Sequence, residues 1–268
     1  MTFTPFTNVK NVFLDIDDTL WENNIFFLES LAALCTMGRQ LGHTDQATTL
    51  LLNEMEDLNI RTRGYGYDSY EASLVMTMRI LIARSGRWEM HPAYHHRILR
   101  WTEFLRTHPI QWRFGVLKTL PVLTKHFRTV IVTKGHEGDQ MAKVNRSGRK
   151  NLFFACEVVP HKYPSCYERL LQKYSLDPAE TVMVGNSPRS DINMAKKAGL
   201  RTIYVPHPST WYREMEPIRN DGPETISVET FDQILKALGL GIEATMAPDP
   251  NQVAELTADL AKAERGDG

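Results

Sequence analysis

Cysteine is scarce in this sequence: only Cys35, Cys156 and Cys166 occur among its 268 residues. They are widely spaced, form no C-x-x-C pair and are odd in number, which argues against a disulfide framework or a zinc knuckle. This usage favours a reducing compartment. The first ten residues, MTFTPFTNVK, hold no apolar signal-peptide core. We therefore expect a cytoplasmic protein.

Long apolar runs and an excess of charge of one sign are also missing. No uninterrupted apolar stretch approaches the roughly 18 residues of a membrane-spanning helix. The 31 lysines and arginines nearly balance the 32 aspartates and glutamates, which leaves a formal charge of -1. We therefore predict neither nucleic acid nor a membrane as a partner, and any anion must be bound by a local site. The oligomeric state is left open.

What the sequence does contain is a regular alternation of short apolar runs and helical patterns. The 268 residues are enough for one large domain or two modest ones, and the 42% of them that are hydrophobic suffice for a sizeable core. Runs rich in β-branched and aromatic residues predict buried strands at 12–16, 129–133, 153–159, 181–185 and 202–205. Helical patterns follow at 167–174 and 192–199. This alternation predicts an α/β fold with a parallel sheet covered on both faces.

One long segment interrupts that alternation. Residues 21–111 are poor in strand signals and contain amphipathic helical patterns, most clearly at 28–38 and 70–82. We therefore predict a helical cap at 21–111, inserted into an α/β core formed by 1–20 and 112–240. Residues 241–268 hold prolines and few large apolar residues, which predicts a flexible tail with a possible short helix at 253–264.

The chemistry begins where the first predicted strand ends, in the segment VFLDIDDTL at 12–20. Carboxylates are costly inside a strand core, so these acids must lie at the carboxyl end of the strand, where parallel sheets build their sites. Asp15 and Asp17 are two residues apart and can face one crevice. Neighbouring carboxylates need a cation or a shared proton, and Mg²⁺ supplies a cation that also holds a phosphate oxygen. The alternative is a solvated acidic loop.

Two further strand ends carry a hydroxyl and lysines. In TVIVTKG at 129–135, Thr133 can donate to a phosphate oxygen with help from N–H groups at Lys134 and Gly135. A threonine that caps the next helix is the alternative. In VVPHKYPS at 158–165, Lys162 precedes an S-x-x-E helix start and can neutralise charge in a phosphoryl transition state. An ordinary surface lysine is the alternative.

The last strand end, in TVMVGNSPRSDI at 181–192, carries small polar residues and one acid. The amide oxygen of Asn186 and the carboxylate of Asp191 suit magnesium ligation. A plain strand–turn–helix junction capped by Asp191 is the alternative.

Together, the four strand ends resemble the four motifs of the haloacid dehalogenase superfamily, of which D-x-D-x-T is the most specific. The resemblance covers about residues 8–240 and implies a Rossmann-like three-layer core with an inserted helical cap. The resemblance implies that Asp15 is the nucleophile, that Asp17 is the acid/base residue, that Thr133 supplies the phosphate-binding hydroxyl and that Lys162 neutralises charge. It also implies that the metal is held by Asp15, Asp17 (through its carbonyl), Asn186 and Asp191.

The implied activity is magnesium-dependent hydrolysis of a small phosphorylated metabolite through an aspartyl-phosphate on Asp15. The acid at Asp17 indicates the phosphatase branch, because the dehalogenases of this superfamily lack an acid there. A phosphotransferase of the same chemistry and a non-catalytic phosphate-binding or interaction module are the alternatives. One departure is Asn186, where the superfamily pattern usually has aspartate; the amide oxygen still ligates magnesium, but without charge.

The predicted cap holds nine arginines and no lysine. Arg61 and Tyr65, in the segment NIRTRGYGY, are predicted to contact the anionic substrate, since arginine suits bidentate contact with phosphate. A compositional bias of the genome is the alternative explanation for the arginines.

Overall fold

The protein, described by a computed structural model over residues 3–240, is built on one six-stranded sheet. The strand order is β3-β2-β1-β4-β5-β6, and every neighbouring pair is parallel. The strands are β1 (Asn11–Leu14), β2 (Arg128–Lys134), β3 (Ala155–Val159), β4 (Thr181–Gly185), β5 (Arg201–Tyr204) and β6 (Thr225–Ser227).

Helices cover both faces of this sheet. Side chains alternate between faces along a strand, so Val12 and Leu14 pack into one core and Phe13 into the other. The first core is closed by α5 (Val116–His126), α6 (Glu137–Arg146) and α9 (Ile234–Ala237), and the second by α7 (Pro164–Tyr174) and α8 (Met194–Lys197). The three-layer α/β fold predicted from the sequence is therefore confirmed.

Four helices lie between β1 and α5 and share a core of their own: α1 (Asn24–Gln40), α2 (Asp45–Arg63), α3 (Tyr67–Arg84) and α4 (Pro92–Thr107). Two chain segments connect them to the sheet, and these segments are hydrogen bonded to each other. The Glu22 N–H donates to the Gln111 carbonyl at 2.9 Å, and the Arg113 N–H donates to the Leu20 carbonyl at 2.9 Å. The predicted cap limits, 21 and 111, fall at this double connection.

Three local predictions differ from the structure. Strand β6 was not predicted, because it has three residues and only Ile226 is buried among them. The single helix predicted at 192–199 is a π-helical turn, Pro188–Asn193, followed by the short α8. Helix α7 begins at Pro164, so the predicted S-x-x-E start, which places Ser165 as the cap, is wrong. Proline suits the first helical position because it has no N–H to satisfy and its φ is already helical.

Between residues 3 and 240, no helix is both long enough and apolar enough to cross a membrane. Cys35, Cys156 and Cys166 are all free thiols. The tail predicted at 241–268, including the possible helix at 253–264, lies outside the described residues.

Candidate active site

The strand order brings the sequence motifs to one edge of the sheet. β1, which is followed directly by Asp15, lies between β2 and β4, and the Asp15 N–H donates to the Val184 carbonyl at 3.0 Å. A cavity of about 220 Å³ opens there, between the carboxyl ends of the strands and the four helices of the insertion. Its lining includes all the predicted site residues except Arg61.

Asp15 lies at the floor of this cavity and is buried. One carboxylate oxygen, Oδ1, accepts a hydrogen bond from Lys162 Nζ at 2.5 Å. The other, Oδ2, accepts one from the Thr19 hydroxyl at 2.8 Å. Both oxygens are thus held by the first and third motifs, which fixes the direction in which the carboxylate faces.

Lys162 joins Asp15 to a second buried acid. Its Nζ also donates to Asp191 Oδ1 at 2.6 Å, so one ammonium serves two carboxylates. Burial, together with the negative charge of Asp15, raises the pKa of Asp191 to about 7, although Lys162 acts in the opposite direction. The cluster therefore carries more negative charge than its lysine offsets.

The oxygen atoms around this cluster fit a magnesium site. Asn186 donates through Nδ2 to the Thr210 hydroxyl at 3.0 Å, which turns its Oδ1 toward Thr19 at 3.2 Å. The amide oxygen therefore lies on the same side as the Asp15 carboxylate, which Thr19 also contacts. Hard carboxylate and amide oxygens are the ligands that Mg²⁺ takes, and a cation would relieve the excess charge on Asp15 and Asp191.

Asp17 has an environment unlike that of Asp15. Lys143 Nζ donates to both of its carboxylate oxygens, at 2.7 and 2.6 Å, and Gln140 and Trp21 donate at 2.9 and 3.0 Å. Burial would raise the pKa of Asp17, but the charge of Lys143 and these hydrogen bonds outweigh it and lower the pKa. Asp17 is thus held as a carboxylate, apart from the Lys162 cluster.

The end of β2 supplies a hydroxyl but no free glycine N–H. Thr133 is buried, and its Oγ1 accepts from Gln140 Nε2 at 2.7 Å, which leaves its own hydrogen available to a ligand. The Gly135 N–H donates to the Val159 carbonyl at 3.1 Å. The predicted contribution of that N–H to phosphate binding is therefore wrong, because sheet pairing already uses it.

Lys134 is paired with a residue that the sequence did not indicate. Its Nζ contacts Glu214, which also accepts hydrogen bonds from the hydroxyls of Ser187, at 2.6 Å, and Ser190. The ammonium lies 4.8 Å from the ring centre of Tyr65. Lys134 thus contacts both the core and, through Tyr65, the inserted helical segment. The carboxylate of Glu214 balances its charge.

Arg61 is placed differently from the sequence-based expectation. It is exposed near the end of α2 and is not part of the cavity lining, which contains its neighbour Ile60. On a helix, adjacent residues are about 100° apart, so the face that presents Ile60 directs Arg61 away. Tyr65, beyond the end of α2, does line the cavity.

Three residues of the site were missed in the sequence: Gln140, Lys143 and Glu214. Gln140 and Lys143 are three residues apart on α6 and share one face. Two polar residues on the buried side of a helix that follows a motif strand are a detectable signal. Glu214 lies in the long connection after β5 and has no comparable pattern.

A second group of possible ligand atoms lies at the entrance to the insertion, in Asp18, Glu22 and His207. These atoms already have partners. Asp18 accepts from the N–H groups of Asn23 and Asn24 at the start of α1. The Ser209 N–H donates to His207 Nδ1, so Nε2 carries the proton that is donated to Glu22 at 2.9 Å. We assign this group to structural hydrogen bonding.

The network around Glu214 predicts a pH-dependent contribution to stability. Burial would raise the pKa of Glu214, but the charge and hydrogen bond of Lys134 and the two serine hydroxyls lower it from 4.5 to about 2. A carboxyl whose pKa is lower in the folded state stabilises it fully above the unfolded value, and this contribution is lost as the pH falls from 4.5 toward 2. It amounts to on the order of 3 kcal/mol at most.

The free energy of unfolding of Glu214→Gln should therefore differ most from that of the unsubstituted protein at pH 7 and approach it below pH 4. Urea denaturation between pH 3 and 7 measures this difference. Glu224→Gln, at an exposed position, serves as the control. A constant difference across the range would contradict the ion pair with Lys134.

The family of the chain follows from comparison with known proteins. The model of the haloacid dehalogenase-like hydrolases matches residues 9–199. A glyceraldehyde 3-phosphate phosphatase of Pyrococcus furiosus is 26% identical over 205 residues, covering 73% of this chain and 80% of that protein. A protein of the same name from Methanothermobacter thermautotrophicus is 26% identical over 241 residues, covering 86% of this chain and 100% of that protein.

Among solved structures, a haloacid dehalogenase-like family hydrolase from Xanthomonas campestris superposes with a TM-score of 0.71 at 25% identity. The match covers 86% of this chain and 96% of that one. These findings confirm the family indicated by the sequence motifs. The chain belongs to the haloacid dehalogenase-like hydrolases.

Proposed function

We propose that this hydrolase is a magnesium-dependent phosphatase that cleaves a small phosphomonoester through an aspartyl-phosphate on Asp15. The observation that carries the proposal is the pair of acids at the end of β1, held in two different environments. Asp15 faces the cavity floor between Lys162 and Thr19, whereas Asp17 is bound by Lys143 and Gln140. Two acids that are kept distinct can serve as nucleophile and acid/base residue.

In the first step, an Asp15 carboxylate oxygen attacks phosphorus and the bond to the ester oxygen breaks. The negative charge of the bound phosphate opposes the effect of Lys143 and raises the pKa of Asp17. Asp17 therefore takes up a proton from solvent as the substrate binds and delivers it to the leaving oxygen. In the second step, Asp17 takes a proton from the water that hydrolyses the aspartyl-phosphate. Thr133 donates to a phosphoryl oxygen, and Lys162 balances charge near Asp15.

The residues that would hold magnesium are Asp15, Asn186 and Asp191 through side-chain oxygens and Asp17 through its carbonyl. The bound ion would offset the charge of the phosphoryl group and of the two acids that share Lys162. Asp17 would contribute no side-chain oxygen, since its carboxylate is engaged by Lys143.

The size of the cavity and the similar proteins support a small phosphorylated metabolite as the substrate. A space of about 220 Å³ suits a ligand of a few carbons and one phosphate. The two relatives named above are both glyceraldehyde 3-phosphate phosphatases, which supports the phosphatase branch and a three-carbon ester. Three free thiols accord with action in the cytoplasm.

Asp15→Asn tests the proposal directly, because it removes the nucleophile without changing the size of the side chain. Turnover of para-nitrophenyl phosphate with Mg²⁺ should fall by more than about a thousandfold. Asp68→Asn, on the exposed surface of α3, is the control and should keep its activity. Retention of a tenth of the activity by Asp15→Asn would rule out the assignment.

Lys143 is expected to act by positioning Asp17. Replacement by methionine removes the ammonium but keeps most of the length of the side chain, so acid/base help should weaken by about tenfold to a hundredfold. The loss should be larger for an alkyl phosphate than for para-nitrophenyl phosphate, whose leaving group needs little protonation. Lys143→Arg should recover part of the difference. An equal loss on both esters would indicate a purely structural role.

Asn186 provides a test of the magnesium ligands. A carboxylate at this position would add a negative charge next to Asp15 and Asp191, so Asn186→Asp should tighten metal binding. The Mg²⁺ concentration for half-maximal activity, expected in the roughly millimolar range for the unsubstituted protein, should fall in the variant. Direct calorimetric titration with Mg²⁺ separates binding from turnover. An unchanged or higher midpoint would show that Asn186 is not a ligand.

A further inference from the structure

The part of the cavity formed by the inserted helices contains an acid without a partner. Glu56 lies on α2, lines the cavity and is half-buried. Within residues 3–240, its carboxylate accepts no hydrogen bond and forms no ion pair, whereas the adjacent Asp57 is paired with Arg213. Burial raises the pKa of Glu56 to about 7, although Arg213 acts in the opposite direction. A donor from a bound ligand would stabilise the charged form of this carboxylate.

Two hydroxyl groups near the start of α3, like Glu56, have no hydrogen-bond partner among the described residues. Tyr67 and Ser69 are each 5% exposed and line the same cavity. The neighbouring hydroxyls have hydrogen-bond partners: that of Tyr70 contacts the Ser30 hydroxyl at 2.6 Å, and that of Ser73 donates to the Ser69 carbonyl at 2.9 Å. A buried polar group without a partner is costly, so a ligand that satisfies these groups would be favoured.

Free positive charge is missing from this part of the cavity. Of the described residues between 21 and 111 that line it, none is an arginine, a lysine or a histidine. On the sheet side, the three lysines of the lining and His136 each lie within 4 Å of an acid: Lys134 with Glu214, His136 with Asp139, Lys143 with Asp17, and Lys162 with Asp15 and Asp191. Arg213, whose charge acts on Glu56, does not line the cavity and is paired with Asp57. A substrate carboxylate would therefore meet Glu56 with no unpaired cation in the cavity lining.

We infer that Glu56, with the hydroxyls of Tyr67 and Ser69, selects phosphomonoesters whose carbon chain carries hydroxyl groups and excludes those that carry a carboxylate. This inference rests on the proposed phosphatase function, since it places the phosphate at Asp15 and the rest of the substrate under α2 and α3. Hydroxyl groups satisfy the three unpartnered groups, whereas a carboxylate beside Glu56 is repelled in a site of low dielectric.

Three esters of equal chain length test the inference: glycerol 3-phosphate, 3-phosphoglycerate and propyl phosphate. Their dissociation constants are measured calorimetrically with Asp15→Asn in the presence of Mg²⁺ at pH 8, where Glu56 is mostly ionised. Glycerol 3-phosphate should bind at least about tenfold more tightly than either of the others, because it gains hydrogen bonds to a charged acceptor and avoids like-charge repulsion.

Glu56→Gln is then added to Asp15→Asn. The ratio of the dissociation constants of 3-phosphoglycerate and glycerol 3-phosphate should fall by at least about fivefold, mainly because 3-phosphoglycerate binds more tightly. Glu54→Gln, exposed on the same helix, should leave the ratio unchanged. An unchanged ratio in the Glu56 variant, or tighter binding of 3-phosphoglycerate before substitution, would overturn the inference. Turnover is measured separately with the unsubstituted protein: its absence would refute the phosphatase proposal, while the binding ratios still decide the role of Glu56.

Discussion

The structure of the site depends on the contact of one buried lysine with two buried acids. Lys162 lies between Asp15 and Asp191 at 2.5 and 2.6 Å, and without it two carboxylates would be buried side by side. Unpaired buried charges are costly enough to disrupt a fold. The backbone is adapted to this cluster: a Cβ at Gly185 would lie 2.2 Å from Asp191 Oδ2. The last residue of β4 must therefore be glycine for the acid to reach the lysine.

The second acid of the first motif avoids this cluster by its own set of contacts. Asp17 is two residues beyond Asp15, yet Lys143, Gln140 and Trp21 hold its carboxylate toward α6. Two neighbouring acids can take different chemical roles only if their surroundings separate their protonation behaviour. Here two lysines from different elements, one after β3 and one on α6, give the two acids different surroundings. The difference between these surroundings is thus a property of the fold around the motif as much as of the motif.

The contrast between Lys162 and Glu214 shows how much of this arrangement the sequence can reveal. Motif residues follow directly after buried strands, and parallel strands bring their carboxyl ends together, so the sheet and the position of the acids were predictable. The position of Lys143 on the buried face of α6 leaves a signal in the sequence, but its pairing with Asp17 depends on how α6 packs. Glu214 lies in the connection after β5, where no periodicity indicates its role. The exposed position of Arg61 has the same cause, because one step along a helix turns a side chain from the cavity to solvent.

The connection after β5 also relates the inserted helices to the floor of the site. Glu214 accepts hydrogen bonds from the hydroxyls of Ser187 and Ser190, which lie beside Asn186 and Asp191 in the chain. The adjacent Arg213 pairs with Asp57 on α2 and donates to the Asn53 carbonyl at 2.9 Å. Consecutive residues of one short turn thus contact both parts of the molecule, and Asp57 is the neighbour of Glu56. A shift of α2 that moved Glu56 would strain this turn and, through Glu214, the serines that follow Asn186. Helix α2, which carries Glu56, and the two serines that follow Asn186 are therefore connected through covalently adjacent residues.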